Sequence, residues 1–109
     1  MNARLYFLQR LTAMIMLPLV IIHIGVMIWA INDGLTAEEI LSRTQGSIFW
    51  ALIYGLFVLA VAIHGSIGFR TISREWFKFS KTMANIASIL LLAVLIVMGL
   101  KAVYSVVAI

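Results

Sequence analysis

Charged side chains are absent from three long stretches of this chain, and this distribution constrains its fold more than any other feature. All twelve Lys, Arg, Asp and Glu residues lie outside residues 11–32, 44–69 and 82–100. A helix needs ~20 residues to cross ~30 Å of hydrocarbon, and each stretch is close to that length or longer. Since lipid offers the backbone no hydrogen-bond partners, a spanning segment must be helical. The sequence therefore predicts an all-α integral membrane protein with three transmembrane helices.

The composition excludes several other classes of protein. Of the 109 residues, 64% are hydrophobic and 11% are charged, whereas soluble domains average roughly 45–50% apolar and about 25% charged residues. A soluble enzyme this short has too little interior to bury so much apolar surface. The chain has no cysteine, so it cannot itself provide a disulfide, a thiolate zinc site or the ligands of an iron–sulfur cluster.

The chain is predicted to form a single transmembrane domain over residues 1–109. We expect three long helices and one short interfacial helix, at about 5–32, 44–73, 80–107 and 37–43 respectively. The interfacial helix begins with a capping box, in which Thr36 is the N-cap and Glu39 follows three residues later. Pro18 removes one backbone hydrogen bond and predicts a kink in the first span near Ala13.

The distribution of positive charge predicts the orientation in the membrane. The N-terminal segment carries Arg4 and Arg10, and the connection at 70–81 carries four cations and one glutamate. The connection at 33–43 carries three acids and one arginine. Because positively charged loops stay in the cytoplasm, the N-terminus and residues 70–81 should face it. The formal net charge of +4 is mostly this topology signal, and we expect no nucleic-acid partner.

A bundle of three helices has little interior of its own. The sequence contains no inverted repeats, which argues against a secondary transporter. Its spans contain no Asp, Glu, Lys or Arg, so they offer no obvious pathway for ions or protons. We expect the chain to be one subunit of a larger helical membrane complex. A small transport or channel subunit is the alternative that the absence of charge disfavours.

The two histidines, His23 in the first span and His64 in the second, are candidate cofactor ligands. Titratable side chains in lipid are costly and usually face the protein interior, and neutral imidazole is a ligand of haem iron. Gly68 lies at i+4 from His64, on the same helix face, and would leave room for a flat macrocycle. Arg70 follows at the membrane edge, where its guanidinium would pair with a haem propionate. For either histidine the alternative is a hydrogen bond between helices.

The two histidines lie at different depths in the predicted bundle. His64 is about 9 Å inside Arg70, and His23 lies nearer the middle and toward the far side, an offset of about 10 Å. Two histidines so far apart along the membrane normal would not clamp one iron. If both bind haem, each binds a different one, with its second ligand from a partner chain.

These residues resemble a known family. The pattern His64-x-x-x-Gly68-x-Arg70 after an apolar helix is similar to the haem-ligand motif in the membrane-anchor subunits of succinate dehydrogenase and fumarate reductase. Residues 9–13, QRLTA, with Pro18 beyond them, also resemble the start of such an anchor. The match covers nearly the whole chain, and we place it closest to the smaller, D-type (hydrophobic) anchor of the pair.

The resemblance implies a four-part complex in a bacterial-type inner membrane. A flavoprotein subunit oxidises succinate or reduces fumarate, and an iron–sulfur subunit relays electrons to quinone. Two multi-pass anchor chains, of which this is one, bind haem b and the quinone. The family's haem ligand corresponds to His64. Members with two haems place histidines in more than one helix, which makes His23 the candidate ligand of a second haem.

The resemblance also implies a quinone pocket at the cytoplasmic membrane edge. The basic and hydroxyl residues that line it in relatives correspond to Arg10 and Thr12. An acidic–tyrosine pair near the quinone corresponds to Glu75 and Trp76, where Trp in place of Tyr is a departure. The predicted function is electron transfer between the iron–sulfur subunit and quinone, by a subunit that is not catalytic by itself. The alternative is a structural anchor or assembly subunit without haem.

Overall fold

The computed structural model describes residues 2–109, which form four α-helices and no strand. The helices are α1 (Ala3–Asp33), α2 (Ala37–Thr44), α3 (Ile48–Glu75) and α4 (Lys81–Val107). Three of these four, α1, α3 and α4, are long and apolar enough to cross a membrane. The prediction of an all-helical fold with three spans is confirmed, and α2 is a short helix between the first two.

A polar residue caps the start of each helix. The side-chain oxygens of Asn2, Thr36, Ser47 and Ser80 each accept a hydrogen bond from the backbone N–H three residues later. Such caps satisfy donors that the first turn of a helix leaves without a partner. At α2 the donor is the Glu39 N–H, 3.2 Å from the hydroxyl oxygen, so the predicted cap is present.

The second span begins later than the predicted residue 44. Thr44 ends α2, Gly46 adopts a φ of 75°, and Ser47 caps the new helix that starts at Ile48. A positive φ is accessible to glycine at little cost and interrupts a helix. The uncharged stretch therefore contains a turn as well as a span.

Pro18 does not interrupt α1, which is helical on both sides of it. A proline removes one backbone hydrogen bond, and a helix in a membrane tolerates this where neighbouring groups adjust. The 31 residues of α1 therefore form one continuous element.

Helix α3 lies in the centre and packs against both α4 and α1. Gly99 of α4 allows the closest approach, because the Val58 side chain occupies the space that a Cβ at Gly99 would need. The bundle measures 47 × 22 × 22 Å. Its long dimension is close to the ~40–45 Å of a bilayer with its headgroups.

Helix α2 packs at the end of the bundle where both α1 and α4 end. The Thr44 hydroxyl donates to the Val106 carbonyl at 2.6 Å, and the Gly46 N–H donates to the Val107 carbonyl at 2.8 Å. These bonds attach the connection between α1 and α3 to the end of α4.

The chain by itself covers little of its apolar surface. In the most apolar part of each span, at most 11% of residues are buried within the chain. Apolar surface on this scale requires lipid or other subunits around it. This agrees with the prediction of a subunit in a larger membrane complex.

Candidate functional site

His64 on α3 is held against α1. Its Nδ1 atom lies 3.1 Å from the backbone oxygen of Gln9 and 3.3 Å from the hydroxyl oxygen of Thr12. The two sequence motifs, QRLTA and His-x-x-x-Gly-x-Arg, therefore meet in space at one imidazole. The ring is half-buried, and none of residues 2–109 hydrogen-bonds its other nitrogen, Nε2.

Thr12 is enclosed between the helices. It is 4% exposed, and its hydroxyl oxygen lies 2.7 Å from the Leu8 carbonyl oxygen and 3.1 Å from that of Gln9. The sequence assigned Thr12 to a quinone and His64 to a haem. The structure places the Thr12 and His64 side chains in contact, an arrangement that the motifs alone did not indicate.

A side chain of α1 lies over Gly68. A Cβ at Gly68 would lie 3.5 Å from Nε2 of Gln9, so the Gln9 side chain covers the surface that was expected to receive a flat ligand. Gly65, directly after His64, is exposed. A Cβ at Gly65 would lie 3.9 Å from Cδ1 of Leu95 on α4, so Gly65 faces a different neighbour from His64, which contacts α1.

Gln9 itself has an unsatisfied polar atom. Its Oε1 is buried with no hydrogen-bond partner among residues 2–109. A buried acceptor without a donor is costly and rare in folded proteins. This atom lies on the residue whose backbone oxygen contacts His64.

Arg70 faces α4 and links it to α3. Its Nε donates to Oδ1 of Asn85 at 2.6 Å. It also borders a cavity of about 260 Å³ with Ser66 and Ser88, and the Ser66 hydroxyl oxygen is buried with no partner among the described residues. Sequence reasoning missed Asn85, although an amide side chain in an apolar span was a signal for an interhelical hydrogen bond.

The remaining quinone candidates are exposed at the end of the bundle where α1 begins and α3 ends. The Arg10 guanidinium lies 5.7 Å from the ring centroid of Tyr6 and 3.4 Å from its hydroxyl. Glu75 is the last residue of α3, and Trp76 is 78% exposed. These three share one end of the molecule with Thr12, and none of the four lines the cavities of about 660 and 260 Å³ found elsewhere in residues 2–109.

His23 borders a separate cavity in the other half of the bundle. Its ring centroid lies 5.3 Å from that of Phe57 and 6.3 Å from that of Tyr54. The cavity has a volume of about 660 Å³, and its walls are mainly apolar side chains of α1, α3 and α4, with Arg43 and Thr44 contributed by α2. The sequence indicated the histidine but not the cavity, which depends on how three helices and α2 meet.

The two histidines lie at different heights along the bundle. His23 packs against Phe57, which precedes His64 by seven residues, or about 10 Å along the helix.

Among the described residues, no three or more His, Cys, Asp or Glu side chains cluster to hold a bare metal ion. A haem needs only axial ligands, so a single imidazole is a sufficient contribution from one chain.

The fold and the membrane-length helices define the chain as a multi-pass helical membrane protein. The family model for the succinate dehydrogenase/fumarate reductase transmembrane subunit matches residues 1–101. The chain therefore belongs to this family, which confirms the resemblance noted in the sequence. No curated protein and no solved structure matches it.

Proposed function

We propose that this chain is the haem b- and quinone-binding anchor, of the D type, in a succinate:quinone oxidoreductase or quinol:fumarate reductase. The observation that carries the proposal is the orientation of His64. Its Nδ1 is engaged by α1, so Nε2 is the nitrogen left for a ligand bond. Histidines that bind metals almost always donate their other ring N–H to a carbonyl, carboxylate or water in this way.

The residues around His64 fit one half of a haem site. Haem, when bound, supplies an iron that carries one electron. His64 would hold the iron through Nε2, and a partner anchor chain would provide another ligand. Gly68, predicted to face the haem, lies beneath the Gln9 side chain of α1.

Arg70 is the proposed partner of a haem propionate. Asn85 holds its Nε, while none of residues 2–109 hydrogen-bonds its terminal NH₂ groups. A guanidinium anchored through one nitrogen can still bind a carboxylate through the others, because it has five donors in a fixed plane. Arg70 lies near the cytoplasmic end of α3, where a propionate would reach water.

The quinone site is proposed at the cytoplasmic membrane edge, between this chain and its partners. Arg10 would donate to a quinone oxygen, Glu75 would pass protons from water, and the Trp76 N–H would be a second donor. All three side chains are exposed in the isolated chain, as expected for a pocket completed by other subunits. Thr12 was assigned to this pocket by resemblance, but its hydroxyl is directed into the α1–α3 contact.

The partners proposed are a second anchor chain, an iron–sulfur subunit and a flavoprotein subunit, in a bacterial-type inner membrane. Support comes from the family and from the extent of apolar surface that the chain leaves uncovered. The same surface would suit a structural anchor without haem, which is the alternative function.

His23 is the candidate ligand of a second haem. The cavity beside it, at about 660 Å³, falls within the ~300–1,000 Å³ of typical ligand pockets. It is apolar, as a macrocycle requires, and its position away from His64 makes it a separate site.

The test is the number of haem b groups per copy of this chain in the purified complex, from a reduced-minus-oxidised spectrum. One haem that disappears in His64→Ala and persists in His23→Ala assigns the ligand to His64 and a packing role to His23. Two haems, each lost with one histidine, assign a ligand to both. A complex without haem, or a haem spectrum unchanged in His64→Ala, contradicts the proposed role and favours the structural anchor.

A further inference from the structure

We propose that Thr12 is a positioning residue for His64: together with the Gln9 carbonyl, its hydroxyl fixes the imidazole tautomer that carries the proton on Nδ1 and strengthens Nε2 as a ligand. The proposal rests on the haem-binding function above, which it deepens. It gives Thr12 a role different from the quinone contact that the family resemblance implied.

The proton on Nδ1 follows from the oxygen atoms around it. The Gln9 carbonyl oxygen, 3.1 Å away, can only accept a hydrogen bond. If Nδ1 were unprotonated, two lone pairs would face each other at this distance in a low-dielectric environment. The contact is therefore favourable only for the tautomer with N–H at Nδ1.

The Thr12 hydroxyl has its own proton committed elsewhere. Its oxygen lies 2.7 Å from the Leu8 carbonyl oxygen, the shortest of its contacts, and a carbonyl can only accept. Since a hydroxyl has one proton and two lone pairs, donation to Leu8 turns a lone pair toward Nδ1 at 3.3 Å. His64 Nδ1–H thus has two acceptors. Among residues 2–109 a bare Nδ1 would find a donor only in the Thr12 hydroxyl, which would have to give up its shorter bond to the Leu8 carbonyl.

The arrangement is rigid because α1 provides both acceptors. Gln9 and Thr12 are three residues apart and so lie on the same helix face. Thr12 is β-branched, which restricts its χ1 angle, and it is 4% exposed. The imidazole is therefore oriented by backbone and side-chain atoms that have little freedom to move.

An acceptor on Nδ1–H increases the electron donation from Nε2. Hydrogen bonds from the other ring nitrogen of a metal-binding histidine raise the basicity of the ligand and tune the metal. Greater donation stabilises the oxidised iron relative to the reduced iron, so it lowers the midpoint potential of the haem. Loss of the Thr12 acceptor should shift that potential upward while the Gln9 carbonyl keeps the ring in place.

The experiment uses the assembled complex with Thr12→Val, Thr12→Ser and a matched control, Thr71→Val. Valine keeps the branched shape and removes the acceptor, and serine keeps the acceptor. Thr71 is half-buried and its hydroxyl also donates within its own helix, to the Ile67 carbonyl at 3.1 Å, but it does not contact a histidine. We expect a higher haem midpoint potential in Thr12→Val, and values equal to the parent in Thr12→Ser and Thr71→Val.

Two results would overturn the proposal. One is a Thr12→Val complex whose haem has the parent potential. The other is loss of haem in both Thr12→Val and Thr12→Ser, which would mean that packing and not the hydroxyl matters. Loss of haem in Thr12→Val with full rescue in Thr12→Ser supports the proposal as firmly as a shifted potential does.

A second measurement separates this proposal from the haem assignment. Solid-state NMR of the full chain in bilayers, labelled with [¹⁵N]histidine, reports which ring nitrogen carries hydrogen. The chain has two histidines, and His23→Gln leaves only the His64 signals. Protonated Nδ1 and bare Nε2 in the haem-free chain support the positioning role even if the parent complex contains no haem, whereas protonated Nε2 with bare Nδ1 contradicts it.

Discussion

Arg70 and Asn85 join the last two spans through one short hydrogen bond, with 2.6 Å between Nε and Oδ1. His64 precedes Arg70 by six residues, which places the two about 120° apart around α3. His64 therefore faces α1, and Arg70 faces α4. The central helix is fixed to each neighbour by a separate polar contact in its C-terminal half.

The first prediction concerns the contact between Arg70 and Asn85. Asn85→Leu removes the acceptor and should destabilise the assembled complex by about 1 kcal/mol, since interhelical hydrogen bonds in membranes average about 0.6 and reach about 1.7 kcal/mol. Asn85→Asp keeps the acceptor oxygen and should retain the parent stability. Thermal unfolding of the purified complex measures both variants.

The control for this pair is Asn32→Leu, which makes the same substitution at an exposed position near the end of α1. Equal Tm values for Asn85→Leu and Asn32→Leu would mean that the Arg70 contact contributes nothing to stability.

The second prediction concerns the close approach of α3 and α4. A Cβ at Gly99 would meet the Val58 side chain, with Cγ2 at 3.0 Å and Cβ at 3.3 Å. Gly99→Ala should therefore push the helices apart and cost about 1–3 kcal/mol, the usual range for overpacking. The unfolding temperature of the complex and its yield from the membrane should both fall.

Two further variants make this prediction specific. Gly25→Ala adds a Cβ in α1 that meets no atom within 4 Å, so it should leave Tm unchanged. Val58→Ala combined with Gly99→Ala should recover most of the loss, because residues in contact are not additive. Equal effects of Gly99→Ala and Gly25→Ala would contradict the packing interpretation.

The number and type of helices could be predicted from the sequence because charge and hydropathy alone decide them. Three uncharged stretches require three spanning helices whatever their neighbours are. The start of α3 was misplaced because Gln45 and Gly46 form a turn inside an uncharged stretch, before the N-cap Ser47. Because the residues of this turn are uncharged, the distribution of charge did not reveal it.

The contact between Thr12 and His64 could not be predicted in the same way. It depends on which face of α1 meets α3, and apolar residues surround each span on all sides, so no polar face marks the rotation. Gly68 was predicted to leave room for a flat macrocycle, but the group that lies over it, the Gln9 side chain, depends on that same rotation. Single motifs predicted which residues matter, and only the packing of two helices showed what they contact.

The last prediction tests the proposed quinone site at the membrane edge. Arg10 is exposed. The ring beside its guanidinium belongs to Tyr6, which lies one turn earlier in α1, so the guanidinium is accessible to a ligand. A hydrogen bond from a charged donor contributes about 1.5–3 kcal/mol, which corresponds to about a 10- to 100-fold change in affinity. Arg10→Leu should raise the KM for quinone by that factor in the assembled complex, with succinate as the electron donor.

Two comparisons locate this effect at the quinone. Electron transfer from succinate to a water-soluble dye that accepts electrons before the anchor should be the same in Arg10→Leu as in the parent. Arg4→Leu removes a positive charge from the same exposed N-terminal segment and should leave the quinone KM unchanged. If Arg4→Leu raised the KM as much as Arg10→Leu, general surface charge would explain the effect. That result would contradict the predicted specific contact between Arg10 and the quinone.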